Sequence, residues 1–196
     1  MIMKRLALSA VALTILTLVL MGCAPDSTKP DVVSTPPPAT ETSAPQSTAP
    51  STSETGFEVG KVLPDFSLPT VDGSTFTLSE NLGKPVFINI FATWCPPCVG
   101  EMPEIEKLYT ELGDSVNFLV IDVAEDEATV SKFITDNSYT LPFALSADGA
   151  PFGDSFLIQF IPQTFVLKAD GTISAYFDGA RDYASFKAAI EEAMAQ

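Results

Sequence analysis

The sequence predicts an α/β domain built on a mixed central sheet flanked by helices, with an N-terminal hairpin. Three observations carry that prediction. Short apolar runs alternate with stretches of helical periodicity from Val86 onward, the pattern of parallel strands joined by crossover helices. The turn Asp170-Gly171 closes a final hairpin, which adds antiparallel pairing to the sheet. Two cysteines, Cys95 and Cys98, stand where the first strong strand gives way to a helix.

Each element follows from local pattern. Pro64 to Leu68 and Thr75 to Leu78 flank Val71-Asp72-Gly73-Ser74, an Asp-Gly hairpin signal. Ser79 is placed to cap a short helical turn. Lys84-Pro85 leads into Val86 to Phe91, an apolar run that reads as a buried strand. The helix after the cysteines ends near Gly113 and is expected to be interrupted and kinked at Pro103. Val116 to Val123 reads as a second buried strand. Glu125 to Asn137 is helical, with Val130, Phe133 and Ile134 on one face. Ile161 to Leu167 is a third strand, followed through Asp170-Gly171 by Thr172 to Phe177. Asp182 to Ala195 closes the chain as a helix with Phe186, Ile190 and Met194 at helical spacing.

The chain divides into three materials. Residues 1–22 have Lys4 and Arg5, then an apolar stretch from Leu6 to Leu20 that is short for a spanning helix. This is the layout of a secretory signal. It ends in Leu20-Met21-Gly22-Cys23, which resembles a bacterial lipobox; Cys23 would then be lipidated and become the first residue of the mature chain. Residues 23–56 are rich in Pro, Ser, Thr and Ala, including Pro36-Pro37-Pro38. That composition offers too little apolar surface to offset the entropy of ordering, so a disordered tether is expected. It would span about 30 Å as a coil and approach ~100 Å in polyproline form. Residues 57–196 have the size of one domain with its own core.

The chain carries 10 basic and 25 acidic side chains, a formal charge of −15, and no histidine. Most of the acids fall after Phe57. This argues against a nucleic-acid or anionic-membrane face and reads as a solvated acidic surface.

The pentapeptide Trp94-Cys95-Pro96-Pro97-Cys98 is the candidate site. Two thiols three positions apart at a strand-to-helix turn can form and release a disulfide, and the helix N-terminus lends positive potential to the first thiolate. A zinc site fails by count, since the three cysteines include Cys23 and histidine is absent. No metal and no cofactor are expected.

Several motifs stand in order around this pair. They are Pro64-Asp65-Phe66 with the Asp72-Gly73 hairpin, Gly83-Lys84-Pro85, Asn89 through Cys98, Glu101-Met102-Pro103, and Ile161 through Phe165. Together they resemble the membrane-anchored thiol–disulfide oxidoreductases of the TlpA/ResA type, redoxin relatives on the thioredoxin fold. The resemblance covers nearly all of residues 57–196. Phe91 stands where the family usually has Trp and keeps an aromatic plug. Asp122 to about Ala150 fits the family's inserted helix and strand.

Cys95, at the strand end, is expected to be the exposed thiol and the nucleophile. Cys98, one turn into the helix and more buried, is the resolving thiol. Pro96 and Pro97 have no N–H and leave the Cys98 N–H as the main nearby backbone donor. A less stabilised thiolate favours a more reducing couple. Trp94 is expected on the surface beside the site. The resemblance implies a cis bond before Pro162 and β-type pairing of the Ile161 backbone with substrate. Glu101 lies at i+3 from Cys98, on the same helix face, and the resemblance implies a functional Glu there. Asn89 stands where thioredoxins often have a buried Asp, and cannot titrate.

The expected function is that of an extracytoplasmic thiol–disulfide oxidoreductase, lipid-anchored to a bacterial cell membrane and acting as a monomer. It would reduce disulfide-containing client proteins and receive electrons from an integral-membrane thiol donor. Family precedent implies apocytochrome c, methionine sulfoxide reductases or other envelope proteins as clients. The alternatives are a peroxiredoxin-like thiol peroxidase and a non-enzymatic tethered scaffold or chaperone. A peroxidase would need a P-x-x-x-T-x-x-C run, and no such proline precedes Cys95.

If Cys23 is the anchor, Cys23→Ser leaves the protein as unprocessed precursor or releases it from membranes, with dithiol activity unchanged. Membrane fractionation reads this; normal processing with retained membrane binding would refute the lipid anchor.

Overall fold

The computed structural model describes residues 54–153 and 158–195. The expected signal peptide, the Cys23 lipid site and nearly all of the expected tether lie outside them. The described chain begins in pairing: Gly56 donates to the Val62 carbonyl, and Lys61 forms an ion pair with Glu54.

The element order is β1 (Ser67–Pro69), β2 (Thr75–Thr77), a 3₁₀ turn (Leu78–Asn81), β3 (Val86–Phe91), α1 (Pro96–Leu112), β4 (Asn117–Val123), α2 (Glu127–Asn137), β5 (Phe143–Ser146), β6 (Gln163–Leu167), β7 (Ile173–Asp178) and α3 (Tyr183–Met194). The main sheet runs in the order β5-β4-β3-β6-β7. β3 is parallel to β4, and β4 to β5; β6 is antiparallel to both β3 and β7. β1 and β2 form a separate antiparallel hairpin. Both hairpin turns place glycine at positive φ, Gly73 at 85° and Gly171 at 85°, which a side chain resists.

Alternation along β3 assigns the faces. Phe87 meets Phe118 of β4 and Phe186 of α3, and Phe91 meets Phe133 of α2. The helices therefore cover this side of the sheet. Ile88 pairs with Phe165, whose ring meets Phe152, which in turn meets Phe66 beside the first hairpin. That layer covers the opposite side. All six residues of β3 are buried, as a central strand covered on both faces requires.

Four local expectations change. The 3₁₀ turn is not capped by Ser79; its N-cap position is Thr77, with no side-chain cap, and Asp65 Oδ1 instead accepts from the Ser79 N–H at 2.9 Å. Helix α1 is continuous through Pro103. The ring lies on the exposed side, where solvent can satisfy the Val99 carbonyl that the missing N–H leaves free. Helix α2 starts at Glu127 because Asp126 caps it, accepting from the Thr129 N–H at 2.8 Å. In α3 the last buried position is Ala193, seven after Phe186, while Met194 is 44% exposed; the helical repeat favours i+7 over i+8.

Phe87→Ala removes a fully buried ring held between two others, so it should cost about 3–5 kcal/mol of stability. Urea unfolding checks it, and a loss below about 1 kcal/mol would contradict this account of the core.

Candidate functional site

Strand β3 ends at Phe91, and the chain turns through Ala92, Thr93 and Trp94 into α1. Cys95 is the N-cap of α1, with extended backbone at φ −93° and ψ 104°. The Cys98 N–H donates to Cys95 Sγ at 3.3 Å. Cys95 and Cys98 are joined by a disulfide, S–S 2.06 Å, with Cα atoms 5.3 Å apart. Pro96 and Pro97 occupy the first helical turn, where absent N–H groups leave no helical bond unmade.

Cys95 is not exposed as expected. It is 3% accessible, against 0% for Cys98. The strand end does reach the surface, but Trp94 takes the outward position at 66% exposure. The Ile161 carbonyl oxygen lies 3.8 Å from Cys95 Sγ and covers it from the other side. The peptide bond between Ile161 and Pro162 is cis, and Pro162 is buried. The sheet brings this loop to the disulfide because β6 lies antiparallel beside β3, pairing Gln163 with Ile90. Trp94, Val123, Ala124, Ile158, Phe160 and Ile161 line an apolar depression of about 230 Å³ next to the disulfide.

Glu101 is 3% exposed and does not behave as a solvated first-turn acid. Its Oε1 accepts from Asn89 Nδ2 at 2.8 Å and its Oε2 from the Arg181 backbone N–H at 3.0 Å. Burial raises its pKa above the ordinary carboxylate value; the Asn89 bond, the Arg181 N–H and the Arg181 charge oppose that shift. Glu106, two turns from Cys98, is a different kind of acid. It accepts from the Thr140 and Leu141 N–H groups and ties α1 to the segment before β5.

Two partners of the site were not legible as such. Asn89, read as inert, is the buried link between Glu101 and Thr164, whose Oγ1 accepts from Asn89 Nδ2 at 3.0 Å. Its place six residues before Cys95 was the available signal. Arg181 contributes a backbone N–H from the loop before α3, and no side-chain pattern marks it. Across the turn, Glu125 accepts from the Thr93 N–H and from Thr93 Oγ1, each at 2.6 Å. Among the described residues no group of three or more Cys, Asp or Glu is placed to hold a metal ion.

A disulfide at the N-terminus of a helix, covered by a cis-proline loop on a mixed sheet, defines a thiol–disulfide oxidoreductase of thioredoxin-like fold. The comparisons give the same class. Residues 58–190 match the Redoxin family model, and the chain belongs to the Redoxin family. Thiol-disulfide oxidoreductase ResA of Oceanobacillus iheyensis is 35% identical over 129 residues, covering 63% of this chain and 67% of that one. Thioredoxin-like protein YneN of Bacillus subtilis is 33% identical over 123 residues, 61% of this chain and 71% of that one. A thiol:disulfide interchange protein of the thioredoxin family from Chlorobium tepidum superposes with a TM-score of 0.61 at 30% identity, over 68% of this chain and 95% of that one. Cys95–Cys98 is the exchange centre of the enzyme.

The raised pKa of Glu101 has a stability consequence. A carboxyl that binds its proton more tightly when folded stabilises the protein most below its unfolded pKa, near 4.5. That contribution is lost as pH rises through the raised folded value. The surface acids with lowered values, such as Asp65 and Asp182, are ionised in both states by about pH 5 and do not offset it. Wild type should therefore lose more stability between about pH 5 and pH 8 than Glu101→Gln. Urea titrations at both pH values check this; parallel losses would mean that Glu101 carries no raised pKa.

Proposed function

We propose that this enzyme works outside the cytoplasm, lipid-anchored to a bacterial membrane, as a reductase of client-protein disulfides. The observation that carries the reducing direction is the set of donors around Cys95 Sγ. Pro96 and Pro97 supply no N–H, and the Cys98 N–H at 3.3 Å is the backbone donor to the sulfur. A thiolate with few donors is poorly stabilised, which lowers the potential of the couple. ResA is named a thiol-disulfide oxidoreductase, and the N-terminal pattern ending in Cys23 supports the location.

In the cycle, the Cys95 thiolate attacks one sulfur of a client disulfide. The client S–S bond breaks, a Cys95–client disulfide forms, and the other client sulfur leaves as thiolate and takes a proton. Cys98 then gives up its proton and attacks Cys95 Sγ. The second client thiol is released and the Cys95–Cys98 bond forms, so two electrons have passed to the client. A membrane thiol donor returns the pair to its reduced state.

Glu101 is the proton carrier for Cys98. It lies one turn along the same helix face, and burial raises its pKa above the ordinary carboxylate value, which makes it a better proton carrier than a solvated acid. The Asn89 and Arg181 donors fix its orientation. The client strand would lie against the Ile161 carbonyl beside Pro162, with Trp94 and the apolar depression accepting side chains flanking its cysteine. Pro96 and Pro97, both exposed, would border that strand. The absence of a peroxidase-type proline before Cys95 supports exchange over peroxide reduction.

The potential and a trap test the reading together. Equilibrated against glutathione, the couple should lie nearer about −270 mV than −120 mV, and a value above about −180 mV would contradict the reducing direction. Cys98→Ala should hold clients on Cys95 as stable mixed disulfides, identified by mass. Glu101→Gln should slow reduction of a model disulfide roughly ten-fold and flatten its pH profile; an unchanged profile would remove Glu101 from the mechanism.

A further inference from the structure

A second buried acid lies across the redox turn from Glu101. Asp122 sits in β4, paired with Phe91 at the end of β3, and is fully buried. Its Oδ1 accepts from the Glu125 N–H at 3.1 Å, while its Oδ2 has no donor among the described residues. The Glu125 carboxylate, three residues on and tied back by that N–H bond, acts on Asp122 as a neighbouring like charge. Glu125 in turn grips Thr93 through both carboxyl oxygens. Thr93 is two residues before Cys95, in the turn closed by the Cys95 N–H to the Ala92 carbonyl at 3.1 Å.

Two ionised carboxylates are acceptors only, so nothing bonds them to each other. One proton changes this. On Asp122 it supplies the missing donor, satisfies the orphan oxygen, and leaves Glu125 charged for its two short bonds to Thr93. Asp122 is the fully buried partner and Glu125 the half-buried one, so desolvation leaves the charge with Glu125.

We propose that Asp122 and Glu125 share one proton and act as a positioning pair, clamping the Thr93 turn that presents Cys95 and releasing it when that proton is lost. Burial first, then the neighbouring Glu125 and Asp126 charges, push the Asp122 pKa from 3.8 up to about 8. The other elements around it face it with apolar groups. Its paired residues in β3 and β5 are Phe91 and Leu145, and α2 buries Val130 and packs Phe133 on the Phe91 ring. Cys95 and Cys98 add titratable groups only when reduced.

Loss of the proton leaves two like charges in a poorly screened site. Glu125 must then move towards solvent, and Thr93 loses its acceptor. Neither residue touches the reacting sulfurs. The pair acts through Thr93, and the role is the same whichever way electrons flow, so its failure would leave the reductase reading intact.

Trp94, the sole tryptophan of the chain, adjoins Thr93 and reports on the turn. The experiment is a fluorescence titration of the oxidised full-length protein in detergent, from about pH 6 to the onset of tyrosine ionisation near pH 10. Wild type should show a one-proton inflection near pH 8. Asp122→Asn should abolish it, because the carboxamide donates to Glu125 as the acid does and cannot titrate. Glu125→Gln removes the facing charge and should move the inflection down by at least about half a pH unit. A wild type without an inflection, one that survives in Asp122→Asn, or one that does not move in Glu125→Gln would overturn the proposal. Should Asp122→Asn fail to fold, the wild-type titration and Glu125→Gln still decide it.

Discussion

Strand β3 is buried along its whole length and covered on both faces, and the redox chemistry hangs on that constraint. A strand held by β4 on one edge and β6 on the other cannot shift its register without turning its aromatic residues to the wrong side. Its C-terminal end is therefore a fixed point. The Cys95 turn leaves from it, α1 starts just beyond it, and the loop before β6 returns beside it. Asn89 places a hydrogen-bond donor in the same strand, two residues before that end, and Phe91 closes it with a ring packed on α2.

The acidity of the chain is mostly a surface property, yet two acids are buried close to this point and are accommodated differently. Glu101 receives two N–H donors that support its charge. Asp122 Oδ2 has no donor among the described residues, and the proton proposed for the pair would supply one. Burial raises both pKa values; around Glu101 the neighbours work against the shift, whereas at Asp122 the Glu125 N–H opposes it and the Glu125 and Asp126 charges add to it. The two acids flank the Cys95 turn through different elements, Glu101 from α1 and Asp122 from β4. One is suited to exchange a proton with the helix cysteine, the other to set the shape of the turn.

Ser79, Pro103, Met194 and the exposure of Cys95 were each judged from local pattern, and each outcome was set by a residue distant in sequence or by the helical repeat. Asp65 takes the N–H of Ser79 from 14 positions away. Ile161 covers Cys95 from 66 positions away. Pro103 does not break α1 because its ring falls on the solvent side of a helix already fixed by the buried Met102, Ile105 and Leu108.

The sequence by itself determined the helices, every strand of the main sheet but β5, their approximate bounds, the two hairpins, and the dithiol at the first strand–helix junction. Those are written in apolar period, in Asp-Gly turns and in cysteine spacing, all of which act over a few residues. It also marked Glu101, because i+3 on a helix is a local relation. Only the tertiary structure decided that Asn89 bridges Glu101 and Thr164, that an Arg181 backbone N–H completes the Glu101 site, and that Asp122, Glu125 and Thr93 form a chain to Cys95. These contacts join strands, loops and helices far apart in sequence. Their energies depend on burial and on the direction of single donors, quantities that exist only once the sheet has closed.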